Sequence, residues 1–274
     1  MKTIAFRERS FGELIELSVS LPLAHFGRLF FILVVLGIPL LVCEILFAAA
    51  ADNMAREVDP EQGLIQILVA IVLLLVTGFL IWPLQQAAAI LVVAGSYTGE
   101  LPSLGECLRL AARKLLPVLA LSTALGLILI GGALLLVFPA FIALCTYYVA
   151  VPALVLENLT WTQAFGRSAE LTKGERWPIF WFVLLIILMT AVVSGAGQVP
   201  AAIATLLLGA HGTPAVQYGL LSVQFLIQTV AGMLGTVAPL IYYFNLRAKR
   251  EALDIAGIAE LVDAIGERWR GTSF

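Results

Sequence analysis

Glu44 is the first residue in this sequence whose position asks for a chemical reason. It lies inside the apolar run 29–50, and a carboxyl group is costly in hydrocarbon. Three amides lie in similar settings: Gln66 in one apolar run, and Gln224 and Gln228 in another. Gln228 follows Gln224 by one helical turn, on the same face. Counted inward from the ends of their runs, Glu44 and Gln224 are each about 9–10 Å deep. Two kinds of chemistry suit such a set. One is an outward-facing polar cavity. The other is interhelical hydrogen bonding, with Gln224 or Gln228 as the expected partner of Glu44.

A second set is charged. Glu157, Arg167, Glu170, Lys173 and Arg247 fall just beyond the ends of apolar runs. They suit a clip that ties helix ends together. Alternatively, Arg167, Lys173 and Arg247 suit a lipid phosphate. Catalytic patterns are sparse. The histidines are His25 and His211, and there is no GxSxG, HExxH or Walker loop. His211 has no nearby acid or second histidine with which to hold a metal. Cys43, Cys107 and Cys145 show no CxxC spacing, so neither a disulfide framework nor a zinc site is expected. No cofactor or catalytic residue is assigned.

The rest of the chain dictates the setting. Of 274 residues, 61% are hydrophobic and 12% charged, with a mean hydropathy of +1.01. Soluble domains are about 45–50% apolar and about 25% charged. The net charge of −2 carries no basic signature of a nucleic-acid binder. Runs of about 20 apolar residues mark membrane spans. They occur at 29–50, 63–97, 115–137, 139–156, 177–198 and 217–246. The second is too long for one straight crossing, and Pro83 offers a bend. The first is longer than a signal-peptide core and reads as a retained span. The stretch 200–210 is too short to cross and reads as a re-entrant or outer-interface helix.

Of the 16 basic residues, all but Arg56 fall on one side of this six-span topology. The positive-inside rule makes that side cytoplasmic, with both termini inside. Three segments on that side begin with the capping-box spacing S/T-x-x-E/Q: Ser10 to Glu13, Ser103 to Glu106 and Thr160 to Gln163. Each opens an amphipathic stretch, at about 10–25, 103–114 and 160–172, and each leads into a pair of spans. A further amphipathic stretch at 258–269 has an acidic polar face suited to docking on protein. The expected fold is thus an all-α integral membrane protein in a single domain, 1–274. Its six spans form three hairpins, each preceded by a cytoplasmic amphipathic helix.

Two motifs carry a resemblance. One is the run from Pro152 to Asn158, followed by the segment from Ala164 to Gly174 with Arg167, Ser168, Glu170, Leu171 and Thr172. The other is Tyr242-Tyr243 with Arg247, Lys249, Glu251 and Asp254. Over residues 150–180 and 240–255 the chain resembles the glycerophosphoryl diester phosphodiesterase membrane-domain family. Asn245 stands where that pattern has an acid, and Gly166 where it has a larger residue. The resemblance implies a multi-pass module of the bacterial inner membrane, sometimes fused to a soluble phosphodiesterase domain. No segment here is expected to be that domain.

The leading functional expectation is a non-enzymatic membrane module in lipid or envelope homeostasis. Its expected partners are membrane lipids, anionic ones included, and a protein partner or second copy, not nucleic acid. The alternative is a small-molecule or lipid transporter with its polar cavity around Glu44. A membrane enzyme is the third class.

Overall fold

A computed structural model describes residues 9–55, 60–98, 103–135, 137–208 and 214–251. Regular structure among these is entirely helical, in the order α1 (Phe11–Ala24), α2 (Phe26–Ala55), α3 (Pro60–Thr98), α4 (Leu104–Leu135), α5 (Val137–Tyr147), α6 (Ala150–Glu157), α7 (Trp161–Leu171), α8 (Arg176–Leu208) and α9 (Pro214–Glu251). Six segments are long and apolar enough to cross a membrane: Phe26–Met54, Glu61–Gly95, Gly105–Leu135, Phe138–Glu157, Arg176–Pro200 and Ala215–Glu251. This is the make-up of a multi-pass membrane protein. Large apolar side chains such as Ile65, Leu75, Leu134 and Val192 stand exposed on the surface, as a hydrocarbon solvent permits.

All three capping boxes form. Ser10, Ser103 and Thr160 accept from the backbone N–H of Glu13, Glu106 and Gln163, whose side chains accept in return from the cap N–H. The segments then diverge. α1 ends at a turn at His25, and α7 ends at Thr172–Gly174, with Gly174 at φ 82. The expected separate helix at 103–114 does not exist, because α4 continues through Pro117 into the third span. Proline in a membrane helix is tolerated where neighbours satisfy the freed carbonyl.

The first and third capped segments match closely. Thr160 lies 150 positions after Ser10, and the buried residues recur at that offset. Ser18 and Ser168, Leu21 and Leu171, Leu29 and Ile179, and Ile32 and Phe182 are all buried. The second segment shares only its first two buried positions, Cys107 and Ala111.

Two further elements differ from the sequence expectation. α8 runs unbroken through Pro200 to Leu208, so no separate short helix begins at 200. The fourth span is split at Tyr148–Val149 into α5 and α6. Pro152 explains the split, since it has no N–H for the Tyr148 carbonyl and its ring crowds that group. α3 stays helical through Pro83 for 39 residues. The amphipathic stretch at 258–269, His211 and Arg56 lie outside the described residues.

Packing is uneven along the bundle. One core joins Leu29 and Ile32 of α2, Ala87 to Ala94 of α3, Val118 and Leu121 of α4, most of α6, Ile179 and Phe182 of α8, and Met233 to Leu246 of α9. All of these lie toward the end that carries α1, α7 and the basic residues, here the basic end. Toward the opposite, loop end, contacts are mostly within neighbouring pairs: Asn53 with Gln66, Cys43 with Thr77, and Ser194 with Gln228.

The joint between α4 and α5 depends on a bare glycine. A Cβ on Gly132 would sit 2.7 Å from the backbone nitrogen of Ala140, whereas a Cβ on Gly131 would meet nothing within 4 Å. Gly132→Ala is therefore expected to cost about 1–3 kcal/mol by overpacking. Gly131→Ala should be neutral or stabilising by about 0.5–1 kcal/mol. Thermal unfolding of the two variants in detergent checks this; equal melting temperatures would contradict the close approach.

Candidate functional site

A concavity of about 820 Å³ lies between α2, α3 and α9. Its walls begin with apolar side chains, among them Leu40 and Phe47 of α2, Leu74 of α3 and Leu221 of α9. Small residues on α9 make the room. Gly232 and Gly235 line the space, and a Cβ on either would meet nothing within 4 Å. Beside it α2 and α9 touch through Gly37, where the Phe225 ring fills the site of a missing Cβ at 2.6 Å.

Into this apolar space project Glu44, Gln85, Gln86, Gln224 and Gln228, with the hydroxyls of Thr229 and Thr236. Some are satisfied by protein. Gln85 donates to the Leu33 carbonyl at 2.9 Å, and Gln228 accepts from Ser194 at 3.0 Å. Thr229 and Thr236 donate to carbonyls of their own helix. Glu44, Gln86 and Gln224 have no hydrogen-bond partner among the described residues. The expected bond from Gln224 or Gln228 to Glu44 is not formed; the Gln228 carbonyl accepts from Ser194 on α8 instead.

The intramembrane set is thus partly regrouped. Glu44, Gln224 and Gln228 share the cavity. Gln66 does not: it is exposed near the start of α3, where it accepts from Asn53 at 3.3 Å. Gln85 and Gln86 were not among the sequence candidates. Two adjacent amides just past Pro83 in an apolar run were the available signal.

At the basic end, the second set forms a charge cluster around Glu157, the last residue of α6. Asn158 next to it turns the chain in the left-handed region, φ 57, a conformation asparagine tolerates. That turn lays α7 back against α6 and aims Arg167 at Glu157. Arg167 Nε lies 3.0 and 2.9 Å from the two Glu157 oxygens. Tyr243 of α9 donates its hydroxyl to the same carboxylate at 2.6 Å. Arg247 donates to the Tyr243 oxygen at 3.2 Å and to Glu251 at 2.7 Å. Glu251 also accepts from Arg167. Burial works against the charge on Arg167, but bonding to Glu251 and Glu157 outweighs it and holds the guanidinium well above its ordinary pKa.

Two arginines and two carboxylates here neutralise one another. A phosphate would have to displace a carboxylate from each guanidinium, so the arrangement works as a clip joining α6, α7 and α9. Glu170 is peripheral: 72% exposed, it reaches Arg167 at 3.5 Å. Lys173 is exposed and meets the group through its backbone carbonyl, which accepts from Arg250. Tyr243 and Glu251 are members that were not among the sequence candidates. The i,i+4 spacing of Arg247 and Glu251 was the signal for the latter.

No family model, curated protein or solved structure matches this chain.

The clip makes unequal demands on Arg167 and on Glu170. Arg167→Ala leaves Glu157 and Glu251 short of a partner and is expected to cost about 3 kcal/mol. Glu170→Ala removes an exposed contact and should cost less than about 0.5 kcal/mol. Thermal melts in detergent distinguish the two, and comparable losses would rule out the clip.

Proposed function

We propose that this chain is a non-enzymatic membrane module that takes a lipid-like amphiphile into the cavity between α2, α3 and α9. The observation that carries the reading is the cavity's lining. Unpartnered amides and a carboxyl face the same space as leucine and phenylalanine, at membrane depth. Ligand sites are concave, mostly apolar, and fixed by a few placed polar groups within about 300–1,000 Å³. A module of the glycerophosphoryl diester phosphodiesterase membrane-domain type, in a bacterial inner membrane and acting on envelope lipids, agrees with this use.

The same reading sets three hairpins in the bilayer, α2 with α3, α4 with α5 and α6, and α8 with α9. The capped starts of α1, α4 and α7 lie at the cytoplasmic surface, and both termini are inside. The basic residues support this orientation, because lysine and arginine favour the cytoplasmic side. The cavity's lining then runs from Phe47 and Leu221 in the outer half of the membrane to Leu33 and Gln86 in the inner half. Its polar groups also favour a second reading, a small-molecule or lipid transporter. They run from about 15 Å along α9 at Gln224 to about 39 Å along α3 at Gln86.

Alkaline phosphatase fused after Pro60 or Gly212 is expected to be active, and fused after Leu104 or Thr172 inactive; the reverse would overturn the orientation. For the ligand, the native protein is purified in mild detergent and its bound lipids are measured by mass spectrometry. Gly232→Phe places a ring in the cavity, where nothing within 4 Å opposes its Cβ. That variant should fold and lose most of the amphiphile that accompanies the wild type. Unchanged lipid content would sink the reading.

A further inference from the structure

We infer that the ligand of this cavity carries a primary ammonium head group on an apolar tail. The inference rests on the amphiphile-binding reading and gives it a ligand class. The polar lining holds one carboxyl, four amides, two hydroxyls and the Trp82 indole, and among the described residues no lysine, arginine or histidine. Glu44 is therefore the only ionisable group facing the space, and no protein cation or amide is bonded to it among the described residues. A lone carboxylate at this depth needs a positive charge to remain charged. The Arg–Glu network at Glu157 shows the same chain supplying that charge from its own residues elsewhere. At Glu44 no described residue supplies such a charge, which leaves a cationic ligand as its source.

An ammonium group fits for three reasons. It donates three hydrogen bonds and accepts none, and the side chains left open here are dominated by acceptor oxygens: the Glu44 carboxylate and the amide carbonyls of Gln86 and Gln224. A bond from an ammonium to a carboxylate is roughly twice as strong as a neutral one. The N–H groups of the two free amides then remain for a phosphate or ester oxygen next to the amine. Leu40, Phe47, Leu74 and Leu221 receive the tail. An anionic head group has no cation to meet and sets a second negative charge against Glu44 in a low dielectric.

The test uses the full chain in maltoside detergent and calorimetric titration with three probes of one acyl length. These are a monoacyl phosphatidylethanolamine, a monoacyl phosphatidylglycerol and a monoacylglycerol. The ethanolamine probe is expected to bind about tenfold or more tighter than the glycerol phosphate probe, the worth of one charge-assisted bond. Glu44→Gln should erase that preference, and a circular dichroism spectrum and thermal melt like those of the wild type show that the variant is folded. Glu44→Asp should keep part of the preference. Equal wild-type affinity for the two phospholipid probes, or a preference that survives Glu44→Gln, overturns the inference. Gly232→Phe separates this failure from failure of the underlying reading. If it abolishes binding of all three probes while no ammonium preference exists, the cavity binds amphiphiles and only the head-group assignment falls. If it changes no binding at all, amphiphiles do not enter the cavity and both proposals fall.

Discussion

Apolar surface does not drive helices together in a bilayer, because lipid tails are as apolar as leucine. Something else has to hold such a bundle, and here much of it is one carboxylate. Glu157 accepts from Arg167 on α7 and from Tyr243 on α9 while ending α6. Glu251 closes the circuit by accepting from Arg167 and Arg247. Two consecutive helices and the distant α9 are thereby fixed together at one end. Around this network large side chains such as Leu29, Leu154 and Leu240 fill the core, and small residues add close-packing contacts. Ala87 to Ala94 of α3 and Ala150 and Ala153 of α6 let backbones approach. The aromatic contact of Phe182 with Tyr242, at 4.9 Å, adds α8 to the same knot.

The loop end has no counterpart to this knot among the described residues. Its polar contacts join neighbours in sequence, as Asn53 joins Gln66 and Ser194 joins Gln228. Helices held firmly at one end and only pairwise at the other leave clefts between the pairs. The cavity is such a cleft, kept open by Gly232 and Gly235 and bounded by the contact of Phe225 with Gly37. None of the knot's charged residues lines the cavity. A change at Glu44 leaves the knot untouched, and a change at Arg167 lies outside the cavity lining.

Hydropathy made six apolar segments legible, because burying some 20 residues in hydrocarbon leaves a strong compositional trace. The caps were legible too, since each needs only two residues at fixed spacing. What proline does was not. Pro117 and Pro200 interrupt nothing, Pro152 splits a span, and all lie in similar apolar contexts. The outcome depends on whether neighbouring helices satisfy the freed carbonyl, a tertiary fact with no local trace. The site was half legible for a related reason. An acid in an apolar run announces itself, but its partner does not. Gln228 looked equally available to Glu44 and to α8, and Ser194 takes it. Gln66 looked intramembrane by position and is held by Asn53 near the start of α3.

The repeat at an offset of 150 gives that outcome a structural logic. Glu44 on α2 and Ser194 on α8 occupy equivalent positions in the two copies. Both copies pack against α9, and both positions address the face that carries Gln228. On one side Ser194 reaches the amide and the two helices close with a short, neutral hydrogen bond. On the other side the equivalent residue is a longer carboxyl with no partner, and the helices stand apart around a cavity. A serine at 44 would have removed the one ionisable group from the lining. The two halves share buried positions from Ser18 with Ser168 through Ile32 with Phe182. They part from Gly37, buried against Phe225, and its exposed counterpart Ile187 onward, and the open carboxyl belongs to one copy. That divergence sets an unpartnered carboxyl on the α2 side of α9, at Glu44.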